Sequence, residues 1–254
     1  MSVPASPTTV IQWIEAGAQQ FKAAGVAYGH GTTNAFDEAA WLVLWKLGLP
    51  LDDLDAAAER TVSAQDAQAL QALLQERIDT RKPAAYLTRE AWLQGVPFYV
   101  DERAIVPRSF IAELIADGSI DVWLGEHTKR VLDLCTGNGS LAILAAMAWP
   151  EVSVTGADIS DDALAVARIN VDRHQLQDRV TLRHSDGMST VHGPKDALFD
   201  LILCNPPYVN AQSMAALPAE YRAEPELALS GNLKGGSDGM DFIRHLLRLS
   251  LIHI

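Results

Sequence analysis

Val131-Leu132-Asp133-Leu134-Cys135-Thr136-Gly137-Asn138-Gly139-Ser140 reads as a short apolar strand running into a glycine turn and then into a helix that continues to Trp149. Gly137 to Ala142 matches the pattern G-x-G-x-x-G/A. Glycines at such a junction permit a tight turn and let a ligand approach the backbone closely. The next strand, Val152 to Asp158, ends in an acidic residue 21 positions after Gly137, placed to accept hydrogen bonds from ribose hydroxyls. Ser160 caps a helix from Asp161 to His174. Further strands run from Arg179 to His184 and from Leu198 to Cys204. Strands and helices in this alternation imply an α/β fold built on a doubly wound parallel sheet. On these features alone NAD competes as the ligand.

The fourth strand stops at Asn205-Pro206-Pro207-Tyr208. Two consecutive prolines cannot continue a sheet ladder, so the backbone stiffens there. An asparagine amide and a proline carbonyl are left at the strand's C-terminal end, where open α/β sheets bind ligands. Two acceptors side by side suit a planar –NH2 group, held by both hydrogens with its nitrogen facing outward. A hydride-transfer site has no evident use for this stretch, whereas transfer of a group to an amide or amino nitrogen does. Asp133, inside the first strand, is placed to face the cationic amino acid part of S-adenosylmethionine. Asp186-Gly187 follows the third strand, where an acidic residue either meets the adenine edge or simply makes a turn.

Upstream, about Thr8 to Arg81 is helical throughout. Ile11, Ile14, Ala18 and Phe21 recur at helical spacing, and a second helix runs from Asn34 to Gly48. Ser63 with Asp66 resembles a capping box before Ala67 to Ile78. Trp13, Trp41 and Trp45 are expected in the core, and no catalytic constellation stands out. Tyr86 to Arg108 breaks into short apolar pieces around Gly95, Pro97 and Pro107, as in a hairpin-like linker. The organisation expected is a small N-terminal helical bundle over residues 1–85 that recognises a partner, a linker over 86–108, and a cofactor-binding domain over 109–254.

Apolar residues make up 48% of the 254, enough for a core, and no run approaches the roughly 18–20 needed to span a membrane. No basic stretch followed by an apolar one marks a secretory signal between Met1 and His30. Two cysteines, Cys135 and Cys204, make no disulfide framework and fit a reducing cytoplasm. The seven histidines show no ligand spacing, so no metal is expected. Net charge is −12, with 7 basic against 11 acidic residues in the first 100 and 13 against 21 thereafter. That balance opposes a grip on phosphate backbones and favours encounter with basic partners.

Asp133-x-x-x-Gly137-x-Gly139, Asp158 and Asn205-Pro206-Pro207-Tyr208 resemble the class I S-adenosylmethionine-dependent methyltransferases that act on planar nitrogens. With the helical N-terminal region, the linker and Glu224-Pro225-Glu226-Leu227-Ala228-Leu229, the chain is similar to the protein-glutamine methyltransferases from roughly residue 10 to 248. The resemblance implies a Rossmann-like fold and methylation of a glutamine side-chain amide. It places the cofactor at Asp133, Thr136, Gly137, Gly139 and Asp158, together with Ile159, Asp186, Gly187 and Asn205. It gives the glutamine to Asn205 and the Pro206 carbonyl, with Pro207 and Tyr208 shaping the pocket.

Val106-Pro107-Arg108-Ser109-Phe110 looks more like the branch that modifies a large-subunit ribosomal protein than the release-factor branch. Phe110 stands where that branch usually has proline, and Gly231 to Lys234 looks like an insertion. The expected partner is a basic ribosomal protein, without sequence-specific nucleic-acid binding. The alternatives are a release factor, an adenine amino group, or a fragment that binds cofactor without turnover. This last reading arises because the chain ends at Leu251-Ile252-His253-Ile254 with four strands visible, apparently lacking the last three of the resembled fold, which leaves the fourth at a sheet edge.

Overall fold

The computed structural model describes residues 7–191, 198–232 and 235–250. Leu233, Lys234 and the terminal Leu251 to Ile254 lie outside the described residues. The chain divides into two compact units, one running to Thr88 and taking in Pro218–Ala223, the other formed by Arg89–Leu217 and the residues from Glu224 onward.

The first unit contains α1 (Val10–Ala23), α2 (Ala35–Lys46), α3 (Leu54–Ala57), α4 (Ala64–Thr80) and α5 (Ala84–Thr88). Along α1, Val10, Trp13, Ile14, Gly17, Ala18 and Phe21 are buried, the spacing that gives a helix a single apolar face. Gly17 marks a close approach, since a Cβ there would lie 3.1 Å from Leu74 of α4 and 3.4 Å from Ala39 of α2. The Asn34 side chain starts α2 by accepting from the N–H groups of Phe36 and Asp37, both at 3.0 Å. At the start of α4, Ser63 Oγ accepts from the Asp66 N–H at 3.1 Å and donates to the Asp66 carboxylate at 2.8 Å. The box expected there is thus closed side chain to side chain. Trp13 is buried, and Trp41 and Trp45 pack half-buried on the same core.

Tyr86 and Leu87 are a correction: they belong to α5, not to a linker. The Pro83 carbonyl accepts from the Tyr86 N–H at 2.9 Å, and Ala84, Ala85, Tyr86 and Thr88 are all buried. With only Leu87 partly exposed, this single helical turn has no polar face to reveal its period. Pro218–Ala223 joins this unit through charge. Arg77 is fully buried, donates from Nε to Glu38 Oε1 at 2.7 Å, and has Nη1 3.5 Å from Glu220 Oε1. Glu220 also pairs with Arg81 at 3.2 Å.

The second unit opens with a hairpin, β1 (Ala91–Leu93) and β2 (Val96–Phe98). Gln94 and Gly95 both have positive φ, the left-handed pair that a two-residue hairpin turn needs to match strand twist. After α6 (Phe110–Ala116) come β3 (Arg130–Leu134), α7 (Ser140–Ala148), β4 (Ser153–Asp158), α8 (Asp161–Arg173), β5 (Val180–His184) and β6 (Leu201–Cys204). The four strands are parallel in the order β5-β4-β3-β6. Alternate residues face opposite ways. Val131, Val154, Val180 and Leu203 pack with α6 and α7, while Leu132 and Leu134 pack with Phe242 and Leu246 of the helix Asp241–Ser250. Helices therefore cover both faces of the sheet, the doubly wound arrangement expected. Beyond Tyr208, Val209 forms a parallel bridge with Ser230, and Asn232 donates from Nδ2 to the Val209 carbonyl at 3.1 Å. Gly231 and Asn232, read from sequence as part of an insertion, are built into this connection.

Asn170 on α8 fastens the unit where the glycine turn begins its helix. It is fully buried, its Oδ1 accepts from the Tyr99 N–H at 2.7 Å, and its Nδ2 donates to the carbonyls of Tyr99 and Asn138, each at 2.9 Å. Asn170→Ala leaves three backbone groups without this partner, the Asn138 carbonyl among them buried. It should lower the free energy of unfolding in urea by about 3 kcal/mol, at roughly 1 kcal/mol for each lost bond.

Candidate active site

The chain runs from β3 to β4 and β5 on one side of the sheet, then returns to place β6 on the other side of β3. Open α/β sheets bind ligands at such a reversal, outside the carboxyl ends of the strands. There the second unit has an open cleft with a largely apolar lining, the usual character of a small-molecule site. Gly137, Asp158, Ile159, Asp186, Gly187 and Asn205 line it. Pro207 lines it too, whereas Asp133, Thr136, Gly139, Pro206 and Tyr208 are not among its lining residues, and Tyr208 is 62% exposed.

The glycine turn is shaped by three consecutive demands. Cys135 itself takes φ of 62°, Gly137 takes 56° and Gly139 takes 82°, the left-handed region that a Cβ disfavours. At Gly139 a Cβ would also sit 3.1 Å from Ala167 of α8, so the loop and helix touch there. A Cβ on Gly137 would meet nothing within 4 Å, because that position faces the open cleft. The Cys135 thiol hydrogen-bonds Cys204 and is half-buried, and both effects push its pKa up and keep it protonated.

Asp158, at the end of β4, is held by the turn it serves. Its Oδ2 accepts from the Gly137 N–H at 2.8 Å and its Oδ1 from the Ser160 N–H at 3.0 Å. Burial raises its pKa, and these backbone donors work against that rise. Each oxygen keeps a lone pair for a ligand hydroxyl in the cleft. Asp186 is exposed on the cleft wall, in a turn fixed by Ser185, whose Oγ donates to the Gly187 carbonyl at 2.7 Å.

Asp133 lies beneath the turn, fully buried. Its Oδ2 accepts from Thr136 Oγ1 at 2.5 Å and from the Ala142 N–H at 3.0 Å, while Oδ1 is buried without a hydrogen-bond partner. Burial pushes its pKa up to about 7. A buried carboxylate oxygen with no donor fits an arriving cation, and so fits the ammonium end of S-adenosylmethionine.

Asn205, at the end of β6, donates from Nδ2 to the Arg108 carbonyl at 3.3 Å. A carbonyl only accepts, so the amide nitrogen is committed there and Oδ1 remains as the outward acceptor. Sequence reasoning missed Arg103, another lining residue. Its guanidinium is gripped by Asp101, with Nε–Oδ1 at 2.9 Å and Nη2–Oδ2 at 2.7 Å. Burial raises the Asp101 pKa, but the bonds from Arg103 and Tyr99 prevail and hold it at about 2. The Asp101-x-Arg103 spacing is its only sequence signal. No cluster of potential metal ligands occurs among the described residues.

Asp133 also sets a pH dependence. The folded chain keeps this proton up to about pH 7, whereas an unfolded carboxyl releases it near pH 4. Between those values the native state binds the extra proton, so this group makes stability fall as pH rises. Asp133→Asn still accepts from Thr136 and Ala142. It should remove that part of the decline when melting midpoints of both proteins are compared from about pH 4 to 8.

The family described as the methyltransferase small domain matches residues 120–230. Ribosomal protein uL3 glutamine methyltransferase of Burkholderia pseudomallei is 50% identical over 250 residues, covering 95% of this chain and 80% of that protein. The protein of the same description from Bordetella pertussis is 48% identical over 241 residues, with 94% and 78% covered. That from Bradyrhizobium diazoefficiens is 46% identical over 253 residues, with 97% and 77% covered. With this identity spread over nearly its whole length, and with a cleft at the switch point of a parallel sheet, the chain belongs to the family of ribosomal protein uL3 glutamine methyltransferases.

Proposed function

We propose that this chain methylates the side-chain amide nitrogen of a glutamine in ribosomal protein uL3, using S-adenosylmethionine bound in the cleft beyond β3 and β4. The observation that carries the amide site is the orientation of Asn205, whose nitrogen is taken by Arg108 and whose oxygen is left to accept. In this reading Asp158 holds the ribose hydroxyls and Asp133 the cationic amino acid end. Thr136, Gly137 and Gly139 form the turn beside the cofactor, Ile159 lines the cleft after β4, and Asp186 with Gly187 meets the adenine edge. Bound there, the cofactor supplies a methyl group made electrophilic by its positive sulfur.

Asn205 Oδ1 and the Pro206 carbonyl accept the two hydrogens of the glutamine amide, and Pro207 and Tyr208 bound its approach. An amide nitrogen is a poor nucleophile because its lone pair is delocalised. The site works by alignment, which can supply roughly 7–11 kcal/mol of a barrier. Acceptors fixed in place also bind more strongly as the nitrogen gains positive charge.

The net charge of −12 suits a basic ribosomal protein as the substrate and opposes a nucleic acid. A ribosomal substrate supports a cytoplasmic location for the reaction. No helix among the described residues is long and apolar enough to cross a membrane.

The test is methyl transfer from labelled S-adenosylmethionine to large-subunit ribosomal proteins, release factors and DNA, each assayed separately. Label is expected in uL3 alone, at one glutamine found by peptide mapping; label in DNA or a release factor instead would replace this reading. Asn205→Asp should keep cofactor affinity by titration calorimetry and lose at least about 100-fold in turnover, the loss typical of one displaced charge-stabilising group.

A further inference from the structure

Resting on that reading and deepening it, we propose that Glu224 and Arg108 are positioning residues that decide which atom of Asn205 faces the substrate. The Glu224 side chain is wholly buried. Its Oε1 accepts from the Val106 N–H at 2.9 Å and from Arg108 Nη1 at 2.7 Å, and its Oε2 accepts from Arg108 Nη2 at 2.6 Å. Arg108 Nη1 also donates to the Val106 carbonyl at 3.2 Å. The backbone from Val106 to Arg108 is thus tied at both ends to one carboxylate. Parallel bonds from a planar guanidinium give that tie a definite orientation.

The group presented by this anchored stretch is the Arg108 carbonyl, which accepts from Asn205 Nδ2 at 3.3 Å. The terminal torsion of asparagine is broad and two-fold, so an unanchored amide presents oxygen and nitrogen with little preference. An inverted amide would offer donors to a glutamine –NH2, which needs acceptors. The ion pair therefore acts on the reaction through one backbone carbonyl. Glu224 also stands next to the segment whose Pro225, Leu227 and Ala228 line the cleft. Pro107-Arg108-Ser109 and Glu224-Pro225, which the sequence marks as motifs without chemistry of their own, acquire a joint role. Lysine cannot replace Arg108 here, because a single ammonium cannot span both carboxylate oxygens in the plane.

Glu224→Gln in the full chain keeps the side chain's shape and sets an –NH2 against the guanidinium. Turnover on uL3 should fall about 100-fold, the scale of a small misplacement of reacting groups. Cofactor affinity should stay within about twofold of the parent chain. Without cofactor, the preference for a glutamine peptide over the matching glutamate peptide should fall about tenfold by calorimetry, the worth of about one hydrogen bond. In an Asn205→Ala background the same substitution should cause no further loss of turnover, because its effect passes through Asn205. Arg108→Lys should follow the same cycle and serves if Glu224→Gln does not fold. Equal losses with and without Asn205, or turnover within about twofold of the parent, would overturn this role while leaving the methyltransferase reading in place. A parent chain that transfers no methyl to uL3 overturns both.

Discussion

The site depends on the pairing of β6 with the side of β3 away from β4. The register sets Leu134 against Cys204, so the two strands end level. The glycine turn after one and the Asn-Pro-Pro stretch after the other therefore emerge side by side. A slip of one residue would turn Leu203 away from the α6 and α7 core and move Asn205 with it, so hydrophobic burial enforces the alignment of the chemistry. The two prolines then stop the ladder at the edge of the cleft that Asn205 and Pro207 line.

Around that junction the acidic residues are controlled by different means. Asp133 is made reluctant to ionise by burial, Asp158 is kept available by two backbone N–H groups, and Asp101 is spent on orienting Arg103. Glu224 is spent on Arg108. A chain rich in carboxylates thus leaves only selected oxygens facing the cleft.

Much of this was legible from local pattern. The glycine turn, the acidic end of β4, the capping Ser160 and the Asn-Pro-Pro stretch are short-range signals, and the second unit places Gly137, Asp158 and Asn205 on one cleft. What was not legible depends on distant partners or on missing contrast. Tyr86 and Leu87 fold into a turn of helix with no polar face to betray it. Asn170 looks like an ordinary polar residue within α8 until Tyr99 and Asn138 are seen against it. The placing of Ala219–Arg222 with the helical unit rests on the ion pairs of Glu220 with Arg77 and Arg81, which no periodicity near residue 220 foretells.

That last feature bears on how the protein can be divided. The helical unit is discontinuous: the chain leaves it after Thr88, re-enters at Pro218 and leaves again after Ala223. The detour falls between the Asn-Pro-Pro-Tyr stretch and Glu224, so the chain on either side of it leads into the second unit. A gene segment ending at Thr88 encodes helices whose buried Arg77 has lost one of its two carboxylates. The two units are therefore not exchangeable cassettes. A single crossover after Thr88 would part Glu220 from Arg77 and Arg81 and so break ion pairs inside the helical unit.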